Sequence, residues 1–261
     1  MEIQKFIYFS GMDCFTSEQK EKTIEYLINK ALSILETNKT RNINIINFIK
    51  TYPVYFIGIK GNSVLVKGHS DENWVYISSR KEEFGNVLQL IDKNDTCFAV
   101  LDDWMIYSII NGRKVEVSLS SLKLVYEGNT LKQEFEEKIH KLNLEHAQYI
   151  YDKSKYKNVV TVDYIAERIQ NGIAYGIFDK GILAAWAITH DDGAIGFLNV
   201  IGKYRRKGYA YALTARIINA LLEKDDIPFV HIEETNEPSL NLAKKIGFKE
   251  ERRVSWIKLK A

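Results

Sequence analysis

The sequence lacks three features that each point to a particular class of protein: a set of paired cysteines, a long apolar run and an excess of one charge. It has two cysteines, Cys14 and Cys97, without CxxC spacing, so we expect buried thiols rather than a disulfide or a redox pair. No run approaches the ~18 apolar residues of a membrane span, and the N-terminus has neither the basic start nor the apolar core of a signal peptide. These absences favour a cytoplasmic protein with no membrane partner.

The charge balance excludes a further class of partner. Lys and Arg total 36 and Asp and Glu total 34, a formal net charge of +2, so no global field attracts nucleic acid and any anion site must be local. The 5 histidines show no metal-ligand spacing, which predicts no structural or catalytic metal. The 46% of hydrophobic residues suffices for a globular core.

The first half of the chain alternates helical and strand patterns. Apolar residues at helical spacing predict a helix over 17–36, and further helices are predicted at 41–50, 81–92 and 103–111. Runs of β-branched and aromatic residues between them predict strands, with a hairpin in "VYFIGIKGNSVLVKG" and single strands in "NWVYISS", "TCFAVL" and "KVEVSLSSLKLVY". We therefore predict an N-terminal α/β domain over residues 1–128.

A polar stretch with many charges and few apolar residues comes next. We interpret residues 129–143 as a linker, or a surface helix, that precedes a second domain at 144–261. In that domain the patterns predict two helices, three strands over 173–200, a helix over 208–223, a strand "FVHIEE", a helix that ends at Gly247 and a last strand "RRVSWIKLK".

The order strand, helix, strand, helix, strand occurs twice. It runs from Trp74 to Tyr126 and again from Ile195 to Lys260. An old duplication would explain the repetition, although α/β alternation is also common among unrelated domains.

Only the second copy has a basic junction between strand and helix, in the segment "GFLNVIGKYRRKGYAYALTARIINALLE". A helix N-terminus presents unpaired N–H groups and the positive end of the dipole, and a glycine lets the backbone approach a ligand closely. With Arg205, Arg206 and Lys207 before Gly208, residues 205–210 form either a pyrophosphate-binding loop or a solvated basic turn.

Two other phosphate motifs fit this segment less well. A P-loop would need a glycine where this sequence has Phe197 and a Ser or Thr where it has Tyr204. A dinucleotide-binding fold would need three glycines after the strand, and only Gly208 is present.

"RRKGYA" instead resembles the R-x-x-G-x-A pyrophosphate loop of the GCN5-related N-acetyltransferase (GNAT) superfamily. "ETNEPSLNLAKKIGFKE" resembles its second signature, with Asn236 before a helix and Gly247-Phe248 after it. Residues 144–260 as a whole are similar to the glycine N-acyltransferase-like, or FR47-like, branch, in "LEHA", "KYRRKGYA", "NEPS", "IGF" and Trp256.

The resemblance implies an α/β (α+β) fold whose mixed, mostly antiparallel central sheet is flanked by helices in the C-terminal half. The N-terminal α/β domain would then be either a degenerate GNAT-like copy or an unrelated domain, and would cover the acceptor side of the cleft. Two neighbouring parallel strands, at 198–201 and 229–234, are expected to split at a β-bulge and to admit the pantetheine arm of acetyl-CoA or another acyl-CoA. The residues that the resemblance assigns to this co-substrate are Leu198, Asn199, Val200, Arg205, Arg206, Lys207, Gly208, Tyr209, Ala210, Asn236 and Ser239. Asn236 also suits the N-cap of the helix that follows it.

Direct acyl transfer to an amine needs a group that removes a proton from the amine and one that protonates the thiolate. Our catalytic candidates are Glu233, Glu234 and Ser239, and His231, His190 and Asp191 lie near the expected cleft. Two positions depart from the family pattern, because Ala243 occupies the place of the usual acid tyrosine and Ala194 that of a base glutamate.

The sequence thus predicts an acyl-CoA-dependent N-acyltransferase, monomeric or homodimeric, that acetylates a small amine or an amino acid. The alternatives are a non-catalytic acyl-CoA-binding module and a protein-modifying acetyltransferase.

Overall fold

A computed structural model describes residues 17–157 and 160–260, and the side chains from residue 22 onward. The described residues form eight α-helices and eleven strands. The chain divides into two compact units, of which unit 1 comprises Met1–Ser121 and Arg253–Ala261 and unit 2 comprises Leu122–Arg252. The domain boundaries at 128 and 143 stay predictions.

Five strands of unit 1 form a sheet with helices on both faces, and residues 115–121, the start of a strand that continues into unit 2, also belong to this unit. Its helices are α1 (Ser17–Glu36), α2 (Lys39–Thr51), α3 (Phe84–Leu88) and α4 (Asp103–Ile110). Its strands are β1 (Val54–Lys60), β2 (Ser63–His69), β3 (Asn73–Ser78), β4 (Cys97–Leu101) and the C-terminal part of β11 (Lys249–Leu259), in the order β1-β2-β3-β4-β11. Strands β3 and β4 are parallel, and the other neighbours in this sheet are antiparallel.

The period-2 alternation of β2 explains why this sheet has two cores. Val64 and Val66 pack with α1 and α2, whereas Leu65 packs with α3 and α4. Asn38 starts α2 by accepting a hydrogen bond from the Arg41 N–H. The helix ends at Thr51 because the residue before Pro53 avoids helical backbone angles.

Unit 2 has the same kind of architecture. Its helices are α5 (His146–Lys153), α6 (Val162–Asn171), α7 (Tyr209–Leu222) and α8 (Glu237–Ile246). Its strands are β6 (Ile139–Lys141), β7 (Ala174–Asp179), β8 (Ile182–Thr189), β9 (Ile195–Val200), β10 (Phe229–Ile232) and the end of β5 (Val115–Val125), in the order β5-β10-β9-β8-β7-β6. Only β9 and β10 are parallel among the strand pairs in this series, so the predicted mixed, mostly antiparallel sheet is confirmed.

Helices cover both faces of this second sheet. One core joins α7 and α8 to the sheet through residues such as Leu213, Ile217 and Val230, and another joins α5 and α6 through Trp186 and Ile188. The element order of unit 1, from α1 to β5, repeats from α5 to β11, so the repetition expected from the sequence is confirmed at the level of topology.

The polar segment 129–143 is part of unit 2. The side-chain amide of Asn219 on α7 bonds to both the N–H and the C=O of Leu131, at 2.8 and 2.9 Å. Strand β6 pairs with β7. Of the segment interpreted as a linker, residues 131 and 139–141 are therefore fixed to a helix and a strand.

Cys97 is buried on β4, and burial raises the pKa of its thiol, whereas Cys14 lies outside the described residues. None of the described helices is long and apolar enough to cross a membrane.

Candidate functional site

One extra residue on β9 opens the sheet of unit 2. Gly196 pairs with Ile188 and Asn199 pairs with Trp186, so three steps along β9 correspond to two along β8. The residue that absorbs the difference is Phe197, whose φ of 49° is left-handed. A β-bulge of this kind bends the strand that carries it and increases its twist.

Beyond the bulge, β9 departs from its parallel neighbour. Within the described residues, β9 and β10 pair at a single position, where Ile195 of β9 lies opposite Val230 of β10. Residues 196–200 are all partly exposed, whereas β8 is buried after Ile182. The backbone of Leu198, Asn199 and Val200 therefore borders a gap between two parallel strands.

The chain reaches α7 through two left-handed residues. Arg206 has φ of 60° and Gly208, the N-cap, has φ of 84°. No side chain of the described residues caps this helix, so its first N–H groups keep their capacity to bind an anion. Helix α7 is 14 residues long, which is long enough for a substantial dipole.

The basic side chains of this junction are exposed, and its aromatic side chains are buried. Arg205, Arg206 and Lys207 are exposed together with Gly208, whereas Tyr209 is buried in the core. Ala210, in the first turn of α7, is half-buried. The cations and the helix N-terminus thus face solvent together, as an anion site requires.

The segment before β6 lines this junction, which the sequence interpretation of a linker missed. A Cβ built on Gly208 would lie 3.3 Å from Cε2 of Phe135 and 3.8 Å from Oε2 of Glu134. The ring of Phe135 packs edge-on against that of Tyr209, with centroids 5.3 Å apart. Only glycine combines the left-handed angle at position 208 with this close neighbour.

Asn236 and Ser239 lie at the start of α8, just after β10. Asn236 is the N-cap, and its side-chain oxygen accepts a hydrogen bond from the Ser239 N–H at 3.3 Å. The N-cap interpretation is confirmed, while contact with a co-substrate stays a prediction for both residues.

The catalytic candidates after β10 differ in their surroundings. Glu233 is half-buried, and its Oε1 accepts a hydrogen bond from the Tyr156 hydroxyl at 2.8 Å. Burial, and then the Glu233 carboxylate, raise the pKa of Tyr156. Glu234 is exposed. At the two positions where the sequence resemblance would place an acid and a base, Ala243 and Ala194 are buried and carry no group that could move a proton.

A histidine–carboxylate pair lies at the point where β9 and β10 part. Nε2 of His231 is 3.1 Å from Oδ2 of Asp192, and the two side chains are 8% and 4% exposed. The Ala194 N–H donates to the other oxygen of Asp192 at 3.0 Å. The sequence analysis named His231 but not Asp192, because an Asp-Asp-Gly sequence predicts a turn and hides a buried carboxylate.

His190 and Asp191 border the same strand. The rings of His190 and Phe197 have centroids 4.8 Å apart, and a Cβ on Gly196 would come within 2.1 Å of Nε2 of His190. The Tyr164 hydroxyl donates to Oδ1 of Asp191 at 3.2 Å. Gly196 therefore makes room for an imidazole beside the bulge.

No three His, Cys, Asp or Glu side chains are grouped for a metal ion within residues 17–157 and 160–260.

Comparison with known proteins bears on the family and the fold. Residues 172–257 match the family model of the FR47-like proteins. A search of curated proteins gave no significant match.

Solved structures resemble the chain over most of its length. A Drosophila protein is 18% identical with a TM-score of 0.71, over 89% of this chain and 96% of its own. A GCN5-related N-acetyltransferase from Kribbella flavida is 13% identical with a TM-score of 0.57, over 85% and 95%. A tandem GNAT protein from the clavulanic acid biosynthesis pathway is 10% identical with a TM-score of 0.54, over 94% and 97%. Residues 172–257 are thus an FR47-like domain, in a chain that has the fold of the GNAT acetyltransferases.

Proposed function

We propose that the protein is an acyl-CoA-dependent N-acyltransferase that uses acetyl-CoA to acylate a small amine or an amino acid. The observation that carries the proposal is the gap between β9 and β10. The gap begins after the pairing of Ile195 with Val230 and leads toward the start of α7, which has no side-chain cap.

The donor would lie along this gap. Backbone groups of Leu198, Asn199 and Val200 border it and would pair with the amides of the pantetheine arm, as a strand pairs with an added strand. The first N–H groups of α7, from Tyr209 and Ala210, would bind the diphosphate together with those of residues 206–208. The three exposed cations at 205–207 add charge attraction.

The acceptor amine must lose a proton before it can attack, because a free alkylamine has a pKa of about 10.4. The half-buried Glu233 carboxylate, held by Tyr156, is suited to bind an ammonium group near the end of β10. Glu234 is exposed at the same turn and would take a lesser part. The hydroxyl of Ser239, or water, would protonate the departing thiolate.

A non-catalytic acyl-CoA-binding module is the second candidate. It is favoured by the buried alanines at positions 194 and 243, where the family pattern has a base and an acid.

Two measurements on the full chain separate the candidates. The first is the rise in Tm with acetyl-CoA, which follows from binding to the folded state. The second is thiol release from acetyl-CoA with a panel of the proteinogenic amino acids, ethanolamine, tyramine, spermidine and a lysine-containing peptide.

A rise in Tm with amine-dependent thiol release supports the N-acyltransferase, and release with the peptide alone supports a protein-modifying enzyme. A rise in Tm without release supports the binding module. If acetyl-CoA leaves the Tm unchanged, the proposal fails.

A further inference from the structure

The cationic side chains of the junction between β9 and α7 have different surroundings. The Nε–H of Arg205 donates a hydrogen bond to the Val200 carbonyl at 3.1 Å. Its guanidinium therefore folds back across the turn at Gly202–Tyr204 and reaches the end of β9. The resemblance assigns this arginine to the co-substrate, whereas in the structure it contacts the strand.

The carbonyl that Arg205 binds faces the gap. The Ile201 N–H donates to the Ala184 carbonyl of β8 at 2.9 Å, and Val200 lies opposite Ala185. Successive residues of an antiparallel strand present their backbone groups to opposite sides, so the N–H and C=O of Val200 point away from β8. Arg205 thus holds the last carbonyl of β9 that faces the gap.

The two lysines of the junction share one aromatic ring. Nζ of Lys203 lies 4.9 Å from the centroid of the Tyr204 ring, and Nζ of Lys207 lies 5.3 Å from it. Tyr204 is buried, and a cation within about 6 Å of an aromatic face is attracted to the ring. Both ammonium groups therefore have a partner within the turn.

Arg206 differs from these neighbours. It is exposed, and among the described residues it has no hydrogen bond, ion pair or ring contact. Its φ of 60° is left-handed, which is uncommon for a residue other than glycine, and it lies shortly before Gly208, the N-cap of α7. Of the cations at 203–207, all within the described residues, Arg206 is therefore the one whose guanidinium is left for an external anion.

We propose that Arg206 is the side chain that binds the diphosphate of the acyl-CoA, and that Arg205 is a positioning residue that holds the end of β9 through Val200. This inference rests on the proposed acyltransferase function, which it deepens by giving the two arginines different roles. A guanidinium suits the first role because its paired donors match phosphate oxygens, and the first N–H groups of α7 follow closely in the chain.

The second role decides which backbone groups of β9 the pantetheine arm can use. With the Val200 carbonyl held by Arg205, the arm would pair with the Val200 N–H and with both backbone groups of Leu198, which face the gap by the same alternation. Loss of Arg205 should therefore affect the pantetheine end of the donor, and loss of Arg206 its nucleotide end.

The first test follows the two arginines directly. In full-length protein labelled with 15N-arginine, their Nε–H signals are assigned by their loss in Arg205→Ala and Arg206→Asn. We expect inorganic pyrophosphate to shift the signal of Arg206 and to leave that of Arg205 in place. Arg80, exposed at the corresponding junction of unit 1, is the control and should also stay in place. An unmoved Arg206 signal, or a larger shift at Arg205, would overturn the inference.

The second test compares acetyl-CoA with S-acetylpantetheine, which lacks the diphosphate and the nucleoside. Arg206→Asn removes the charge with a residue that tolerates left-handed angles. It should lower the affinity for acetyl-CoA by about 10-fold or more and leave that for S-acetylpantetheine unchanged. Arg205→Ala should lower both affinities by a similar factor, about 3- to 10-fold. Arg80→Asn is the matched control and should bind both donors as the wild type does. Calorimetry measures acetyl-CoA binding, and NMR titration measures the weaker ligand.

The outcomes separate the two proposals. If acetyl-CoA raises the Tm of the wild type but Arg205→Ala and Arg206→Asn lose affinity for the two donors in the same proportions, the inference is overturned while the proposed function stands. If acetyl-CoA leaves the Tm of the wild type unchanged, the proposed function is overturned and this inference with it.

Discussion

The two units share an order of elements but differ at their parallel strand pairs. In unit 1, β3 and β4 pair at three positions, from Trp74 and Cys97 to Tyr76 and Ala99, and the register between β2 and β3 is unbroken. In unit 2, a bulge at Phe197 interrupts the register between β8 and β9, and β9 has one described register pair with β10. The unit whose strand contains an extra residue is thus the unit whose parallel strands separate, whereas the parallel strands of unit 1 stay paired.

The two units also differ in the helix that follows the first strand of the parallel pair, which is α3 after β3 in unit 1 and α7 after β9 in unit 2. Helix α3 has 5 residues and follows two cations and two carboxylates at 80–83, whereas α7 has 14 residues and follows three cations and a glycine at 205–208. The Glu83 carboxylate bonds to the Ser63 hydroxyl and to the Asn62 N–H, and these bonds lower its pKa. The two carboxylates directly before this short helix offset the cations there, so we expect only unit 2 to bind acyl-CoA.

The largest expected difference in stability is between substitutions of two buried lysines, Lys67 in unit 1 and Lys123 in unit 2. Lys67 bonds to Asp95 at 2.5 Å, with both side chains largely buried. We expect Lys67→Met to destabilise the protein by about 3–5 kcal/mol, because a buried carboxylate loses its cation. Lys123→Met should cost clearly less, because Glu251 keeps Arg252 at 2.6 Å. Urea unfolding measures both, and equal costs would contradict the comparison.

Two matched glycines test the difference at the helix starts. Gly208→Val forces a β-branched residue to a φ of 84° beside Phe135, a strain of about 1–3 kcal/mol. The affinity for acetyl-CoA should fall by about 10- to 100-fold if the strain is relieved only by distorting the loop. Gly85→Val in α3 is the control, since a Cβ there meets nothing within 4 Å. Calorimetry measures the affinity, and unchanged binding in Gly208→Val would show that this loop does not hold the diphosphate.

Asn236 separates the role of a helix cap from that of a ligand. Asn236→Ala should cost about 1 kcal/mol of stability, because the Ser239 N–H loses its acceptor. Asn236→Asp keeps the acceptor and should be nearly as stable as the wild type. If Asn236→Asp is as stable as the wild type but binds acetyl-CoA more weakly, the amide group of Asn236 contacts the co-substrate. If its binding is unchanged, Asn236 acts only as the helix cap.

A smaller effect is expected on acidification. Because the folded state holds the pKa of His231 below its ordinary value of 6.5, the unfolded chain takes up a proton first as the pH falls through 6.5. Stability contributed by the neutral imidazole is therefore lost below about pH 6.5. The Tm should fall between pH 7 and pH 5 by less in His231→Gln than in the wild type. His69→Gln, at an exposed position of unit 1, should retain the wild-type fall.

The elements with strong local patterns could be predicted from the sequence, and so could the exposed basic junction at the start of α7. Apolar periodicity located α7, and glycine with three cations located its N-terminus, because each signal lies within a few adjacent residues. The hairpin of β1 and β2 was predicted on the same grounds and is confirmed.

Features that depend on distant partners could not be predicted in this way. Lys123 is fully buried although lysine is usually exposed, and its burial depends on Glu251 and on the ring of Phe229. The pairing of His231 with Asp192 joins residues 39 apart. Strand β6 has three residues in a charged segment, too few for an alternating pattern.

The shared strands bear on how the protein is made. Residues 122–125 of β5 pair with β10 in unit 2, whereas β11 ends against β4 in unit 1. Residues up to about 259 must therefore be synthesised before unit 1 acquires the strand that pairs with β4. Until then β4 presents an incomplete edge to other nascent chains, so rapid translation or chaperone cover at that stage would favour correct folding over aggregation.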